Sequence, residues 1–196
     1  MPAKHEISRD DILALDEYVK VRPDRKRRVT DLKKNRRVSI GPDATFYFES
    51  YDTMLHQVQE MLYIEKGGDD QIDDELSAYN PLIPNGRELV ATLMFEIDEP
   101  VRREKVLATL GGVEETVTIT MAGETVTAIP EADIDRTNAD GKASSIQFLH
   151  FPFTPEQIQK FRTPGAKVTL GIGHAKYGHT AVLLDDVRQA LAQDFD

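Results

Sequence analysis

The stretch ELVATLMFEI, residues 88–97, places apolar side chains at every second position. These side chains belong to Leu89, Ala91, Leu93, Phe95 and Ile97, and the residues between them are of mixed character. In an extended chain, side chains two residues apart lie on the same face of the sheet. The stretch therefore predicts a strand with one fully apolar face, which the rest of the fold must cover.

Further strands are predicted on both sides of this stretch. The turn sequences Gly41-Pro42-Asp43 and Ala122-Gly123 each separate two β-type runs, and each predicts a hairpin. A run that is apolar on both faces predicts a central strand at 146–153. The predicted strands are 38–40, 45–49, 89–97, 116–121, 124–129, 146–153, 168–172 and 179–183, with polar loops at 133–143 and 173–178.

The first third of the chain is predicted to be helical. Ser8 and Asp11 are typical of a capping box that opens a short helix, and Pro23 is placed to start a second helix that runs through Arg36. The apolar face of the short helix holds Ile12, Leu15 and Val19. Further helices are predicted at 52–66, 69–78 and 100–110, after Thr154, and at 185–195. Helices followed by hairpin-linked strands predict an α+β fold, with N-terminal helices packed on a mostly antiparallel sheet and a C-terminal helix.

The composition limits the class of protein. The chain has 196 residues, 40% of them hydrophobic and 30% charged, which is typical of one folded domain over residues 1–196. It has no cysteine, which excludes disulfides, thiolate nucleophiles and cysteine-ligated clusters. No apolar run is long enough for a membrane span and no signal peptide precedes the helices, so we expect a cytoplasmic location. Phosphate-loop, dinucleotide and EF-hand motifs are absent, so no cofactor is expected apart from a metal ion at the residues considered below.

The net charge of −10 combines two unlike regions. Residues 22–37 hold nine basic and two acidic residues, a net charge of +7, and the remaining residues therefore carry −17. Such a segment could bind an acidic partner protein, a phosphorylated ligand, or the protein's own acidic surface. Nucleic acid is disfavoured because the segment contains no aromatic residue and the whole chain is acidic. The candidate binding residues are Arg25, Arg27, Arg28, Lys33, Lys34, Arg36 and Arg37.

One carboxylate falls on the apolar stripe of the helix predicted at 52–66. Glu65 lies on the same side as Met54 and Val58 at 100° per residue. If buried, it could ligate a metal, act as a general acid or base, or pair with a basic residue of the second helix. Alternatively, its place in the last turn lets it project into water. His56 and Glu60, on the opposite face, favour a solvated i, i+4 pair over a metal site.

Three histidines form a second candidate site. His150 lies on the strand predicted at 146–153, and His174 and His179 border the loop at 173–178. Three imidazoles from neighbouring strands could ligate Zn²⁺ or Fe²⁺, although no HExxH-type motif supports this. A lone histidine in a strand is otherwise a packed or surface residue.

Several strings distributed over nearly the whole chain resemble one bacterial family of uncharacterised proteins of about this length, known as a domain of unknown function. They are YVKVRPDRKRRVTDLKKNRRVSIGPDATFYFE (18–49), QEMLYIE (59–65), ELSAYNPLIPNG (75–86), TLMFEI (92–97), SSIQFLHF (144–151) and GIGHAKY (171–177). The resemblance supplies no catalytic residue. It implies an association with rubrerythrin-like and iron–sulfur, heterodisulfide-reductase-like proteins, which family members are often encoded beside.

Three functional hypotheses remain open at this point. The first is a non-enzymatic accessory protein that uses the basic segment to bind a redox or peroxide-response partner. The second is a metal-dependent enzyme that uses the histidines or Glu65. The third is binding of a phosphorylated ligand by the basic segment.

Overall fold

Six α-helices and two antiparallel sheets make up the residues that the computed structural model describes, which are 4–132, 137 and 141–196. The helices are α1 (Leu15–Lys34), α2 (Tyr51–Glu65), α3 (Asp69–Tyr79), α4 (Pro100–Leu107), α5 (Pro155–Arg162) and α6 (Asp185–Leu191). The strands are β1 (Arg37–Ile40), β2 (Ala44–Phe48), β3 (Glu88–Phe95), β4 (Val117–Met121), β5 (Glu124–Thr127), β6 (Ile129–Pro130), β7 (Ile146–Pro152), β8 (Val168–His174) and β9 (Tyr177–Val182). The predicted α+β class is confirmed.

The central strand β3 corresponds to the alternating stretch at 88–97. It lies in the middle of a five-stranded sheet of order β1-β2-β3-β7-β6, in which every neighbouring pair is antiparallel. The second sheet has four strands in the order β5-β4-β8-β9 and is also antiparallel. Three of the seven pairings among the described residues, β1–β2, β4–β5 and β8–β9, join consecutive strands through short turns.

The main core is formed by the apolar faces of both sheets. From the five-stranded sheet, Leu89, Leu93 and Phe151 are fully buried in it, and from the four-stranded sheet Ile119 and Leu170 are fully buried in it. Residues of α5 and α6, including Phe161 and Leu191, close one end of this core. The predicted apolar face of β3 is therefore covered by the other sheet rather than by helices.

The opposite face of β3 faces the helices. Val90 packs there with Met54 and Val58 of α2, and with Ile7 and Ile83 from the flanking segments. The molecule thus has a helical layer, a five-stranded sheet and a four-stranded sheet. No helix among the described residues is both long and apolar enough to cross a membrane.

The two helices predicted before residue 37 are a single continuous helix in the structure. A single helix, α1, contains Pro23 in its interior, so the prediction that Pro23 starts a new helix is wrong. A proline in that position removes one backbone hydrogen bond. Contacts with α2 on both sides of the proline hold the two halves on one axis: Arg22 binds Glu60, and Arg28 approaches Asp52. Ser8 and Asp11 do form the predicted capping box, but it opens a short 3₁₀ turn.

The predicted loop at 173–178 is also mostly strand. Strands β8 and β9 extend through His174 and from Tyr177, so only a two-residue turn separates them. The polar loop predicted at 133–143 lies mostly outside the described residues.

Arg36, one of the predicted binding residues, is buried. Its side chain is 4% exposed, and its guanidinium forms an ion pair with Asp194 near the C-terminus. Nε donates to the carbonyl of Phe48 at 3.0 Å and Nη2 donates to that of Glu49 at 2.6 Å. Arg36 therefore joins the end of β2 to the C-terminal turn and cannot contribute to a docking surface, so this part of the prediction is wrong.

Replacing Arg36 with methionine is expected to destabilise the protein strongly. The substitution leaves Asp194 without its cation in a buried site, which costs about 3–5 kcal/mol. The neighbouring Arg37→Met is the matched control, because the Arg37 side chain is 54% exposed and lies 3.9 Å from Glu96. It should change the free energy of unfolding by less than about 1 kcal/mol. Urea unfolding of both variants measures the difference, and equal effects would contradict the structural role given to Arg36.

Candidate functional site

The basic segment lies mainly on α1, whose solvent-facing side forms the most concentrated positive region. The helix carries eight basic and four acidic residues. Arg27 pairs with Asp24 and Lys34 with Asp31, both at i, i+3 on the helix itself. We call the exposed basic residues of its C-terminal half the α1 basic face; they are Lys26, Arg27, Arg28, Lys33 and Lys34.

The acids near this face do not neutralise it. Residues 25–34 contain six basic residues and one acid, so pairing with Asp31 leaves the segment strongly positive. Arg28 approaches Asp52 of α2 only to 3.6 Å, and Lys26 and Lys33 have no carboxylate partner among the described residues. Of the predicted binding residues, Arg27, Arg28, Lys33 and Lys34 are together on this face, and Arg25 lies beside it, half-buried against the ring of Tyr18. Arg37 lies outside it, on β1, over the ring of Tyr47.

A polar cluster fixes α1 on α2. Arg22 donates from Nε and Nη2 to the two carboxylate oxygens of Glu60 at 2.7 and 2.8 Å, and Tyr18 donates to Oε1 at 2.6 Å. The guanidinium also stacks over the ring of Tyr63, 4.4 Å from its centroid. The hydrogen bond from Arg22 lowers the pKa of Glu60 to about 2, and burial raises the pKa of Tyr18. This bidentate, charge-assisted contact holds the helix that carries the basic face.

His56 lies next to this cluster. Its Nδ1 is 3.4 Å from the hydroxyl oxygen of Tyr18. Burial lowers the pKa of the imidazole, and the positive charges of Lys33, Lys26 and Arg22 act in the same direction, although Glu60 opposes them. The i, i+4 spacing of His56 and Glu60 predicts a solvated surface pair, and this prediction is wrong. The Glu60 side chain is only 14% exposed, and its contacts with Tyr18 and Arg22 hold α1 on α2. Tyr18 and Arg22 on α1 are also four residues apart, as His56 and Glu60 are on α2. These two matching spacings were the only signal in the sequence for a contact between the two helices.

Glu65 is exposed, so the alternative that it projects into water is confirmed and the hypothesis of a buried carboxylate is wrong. It is the last residue of α2 and accepts a hydrogen bond from Gln71 at 2.7 Å. The chain turns at Lys66 in the left-handed conformation, and Leu62 is the last residue of the apolar stripe that packs against the core. Glu49, just before α2, is by contrast buried, and it accepts hydrogen bonds from the hydroxyls of Thr53 and Thr92 at 2.7 and 2.8 Å.

The structure does not bring the three histidines together. His150 is in the five-stranded sheet, whereas His174 and His179 are in the four-stranded sheet. His179 packs against Gly41 in the β1–β2 turn so closely that a Cβ atom at Gly41 would lie 2.6 Å from its ring. Within residues 4–132, 137 and 141–196, no group of three histidine, aspartate or glutamate side chains is arranged to hold a metal ion.

His150 instead lies between two carboxylates. Its Nδ1 is 3.1 Å from Glu88 and its Nε2 is 2.9 Å from Glu131, and the ring is 18% exposed. Hydrogen bonding to Glu88 raises the pKa of the imidazole, and Glu131 adds to the effect. With both ring nitrogens donating, the protonated ring links β3, β7 and the segment after β6.

Comparison with known proteins assigns the chain to a family. A family model described as "Protein of unknown function (DUF3501)" matches residues 6–195. The chain belongs to the DUF3501 family. The matched range contains α1, the Arg22–Glu60 contact, the His150 cluster and Asp194, so all of these features lie within the region that the family model describes.

This DUF3501 protein also resembles a protein of known structure. The crystal structure of a "novel protein of unknown function" from Burkholderia pseudomallei, at 1.90 Å, is 38% identical and has a TM-score of 0.89. The match covers 97% of this chain and 99% of that one. Comparison with curated proteins finds no match. The function of this DUF3501 protein must therefore be argued from its own residues.

Replacing His150 with glutamine is expected to remove a pH-dependent contribution to stability. Because the folded protein raises the pKa of His150, this contribution is fully present below the ordinary value of about 6.5 and is lost as the pH rises through the raised value. The loss of unfolding free energy in His150→Gln should therefore be larger at about pH 5.5 than at about pH 9. Denaturant titrations at both pH values measure it.

His174→Gln provides the control for this measurement. The Nδ1 of His174 accepts a hydrogen bond from the backbone of Lys176, and the ring has no carboxylate partner among the described residues. Because this contact requires an unprotonated Nδ1, the effect of His174→Gln should not be larger at about pH 5.5 than at about pH 9. A pH-independent effect of His150→Gln would show that the two carboxylates do not stabilise the protonated ring.

Proposed function

We propose that this protein is an accessory protein that binds an acidic surface of a partner protein through the α1 basic face. The observation that carries the proposal is the placement of Lys26, Arg27, Arg28, Lys33 and Lys34 on the exposed side of one helix. Clustered, solvated cations on a rigid element are suited to recognising a carboxylate-rich protein surface.

The rigidity of this surface supports docking. Arg22 and Tyr18 hold the N-terminal half of α1 on α2, and the buried Arg36 holds the chain immediately after it. A basic segment that served only to neutralise the protein's own acids would have its cations turned inward. Here the inward-facing cations are Arg22 and Arg36, and those of the basic face point to solvent.

The charge on the rest of the protein favours one orientation of the partner. The chain has a net charge of −10, so an acidic partner is repelled by most of the surface and attracted by this face. Such asymmetry orients a partner before contact and raises the rate of association.

A redox or peroxide-response protein is the partner class that we propose. The support is the sequence resemblance, which implies an association with rubrerythrin-like and iron–sulfur proteins. Because this chain has no cysteine, a reactive thiol or a cysteine-bound cluster in the complex would belong to the partner.

Reversing four charges on the α1 basic face is expected to abolish binding. The variant carries Arg27→Glu, Arg28→Glu, Lys33→Glu and Lys34→Glu, all at exposed positions where ion pairs contribute little to stability. Its affinity for the rubrerythrin-like or the iron–sulfur protein of the same organism should fall at least about tenfold. Biolayer interferometry at low and high salt measures this, with circular dichroism to verify folding.

The matched control reverses four exposed charges elsewhere. Arg87→Glu, Lys105→Glu, Lys167→Glu and Lys176→Glu make the same change in net charge at exposed positions outside α1. This variant should bind more tightly than the α1 variant. Equal losses in both variants would contradict a defined docking face, and the absence of binding by the native protein to either candidate would contradict the redox association.

The same pair of variants distinguishes a phosphorylated ligand from a partner protein. A rise in melting temperature with inorganic phosphate or a nucleotide, lost in the α1 variant and retained in the control, would replace protein docking with ligand binding.

A further inference from the structure

An open cavity lies where the N-terminal segment, the start of α2 and the C-terminal turn meet. Its volume is about 420 Å³. Its walls include the side chains of Leu32, Tyr51, Pro84 and Ala190, and Asp194 lies among the lining residues. This is the size of a pocket for a small organic molecule, and its lining combines an apolar wall with several polar and charged side chains.

Asp194 presents an unused hydrogen-bond acceptor in this cavity. Its side chain is 9% exposed. One carboxylate oxygen, Oδ2, binds Arg36, and the other, Oδ1, has no hydrogen-bond partner among the described residues. A carboxylate that is nine-tenths buried normally has both oxygens hydrogen-bonded.

The cationic side chains and the imidazole that line the cavity already have partners. Lys4 binds Asp11, and the two ring nitrogens of His5 contact the carbonyl oxygen of Pro84 at 2.6 Å and a carboxylate oxygen of Asp196 at 3.0 Å. Arg36 donates to the backbone carbonyls of Phe48, Glu49 and Ala190 besides Asp194. Each of these groups is therefore already paired, whereas Oδ1 of Asp194 can still accept a hydrogen bond from a ligand.

A second acidic group lies at the mouth of the cavity. Asp52 lines it, and its nearest cation, Arg28, is 3.6 Å away. Lys4 and Arg36, the lysine and arginine of the lining, are each paired with a carboxylate, as is Arg28, and His5 contacts a fourth carboxylate, that of Asp196. Counted together, these groups leave an excess of carboxylates around the cavity, which favours a cationic ligand over an anionic one.

We propose that this cavity binds a small molecule that carries a protonated amine. Its N–H group donates to Oδ1 of Asp194, and a short alkyl chain contacts Leu32, Pro84 and Ala190. The proposal does not depend on partner docking, because the exposed basic residues of α1 take no part in it.

The environment of Asp194 is consistent with this ligand class. Burial raises the pKa of Asp194, and the charge of Arg36 opposes this rise only in part. A bound ammonium group would supply a second positive charge next to the carboxylate and stabilise its ionised form.

The test uses four small probes, three of which are four-carbon compounds of about the same length. n-Butylamine and agmatine carry protonated amines at neutral pH, whereas butyrate carries the opposite charge and 1-butanol carries none. In ¹H–¹⁵N NMR titrations the two amines should produce saturable shifts of amides at the cavity, around residues 50–52 and 190–194. Butyrate and 1-butanol should produce none. Saturation by butyrate, or no saturable shift with either amine, would overturn the proposal.

Two variants show whether the amines bind in the cavity. Ala190→Leu fills part of the cavity and leaves the Arg36–Asp194 pair in place, and it should weaken binding at least about tenfold. Asp194→Asn removes the charge and should have an effect at least as large. Asp186→Asn, an exposed position at the start of α6, is the control for the change of charge and should bind as the native protein does.

The Ala190 variant keeps the test decisive if Asp194→Asn fails to fold. Amine binding that is unchanged in Ala190→Leu would locate the site elsewhere on the acidic surface and would overturn the proposal.

Discussion

The buried guanidinium of Arg36 connects the three parts of this fold. Arg36 lies just after the end of α1 and binds backbone carbonyls at the end of β2 and the carboxylate of Asp194 in the C-terminal turn. A buried cation is tolerated only where several acceptors converge on it, so these segments must be correctly placed at the same time. The position of α1, the start of α2 and the cavity above Asp194 all follow from this contact.

Arginines that are close together in the basic segment, residues 22–37, differ sharply in burial. Arg36 is buried, whereas Arg37, the first residue of β1, is exposed beside Glu96. Along α1, Arg22 is turned toward Glu60 of α2, and the basic face points to solvent. The residues that hold the fold together and those of the proposed docking face are therefore different members of the same basic segment, and net charge alone does not distinguish them.

The sequence predicted those features that depend on local patterns. The alternation in β3, the hairpins at Gly41 and Gly123 and the α+β class are confirmed, because each depends on residues close together in the chain. The continuity of α1 through Pro23 was missed because contacts with α2 override a local start signal. The burial of Arg36 and the exposure of Glu65 depend on partners far along the chain, and hydrophobic periodicity carries no information about them. For the same reason, the separation of His150 from His174 and His179 was visible only once the strands were assigned to two sheets.

The basic residues of this segment form two kinds of ion pair, and the difference explains why an acidic protein keeps a positive face on α1. The inward cations are compensated by distant residues: Glu60 for Arg22 and Asp194 for Arg36. On the exposed side, Arg27 and Lys34 pair with acids of α1 itself, and such pairs are weak and readily exchanged in water. A partner's carboxylates can therefore replace these acids without disturbing the contacts that hold the helix. The pairs that fix the helix and the charges available for binding are thus separate, which allows a docking surface to form without a loss of stability.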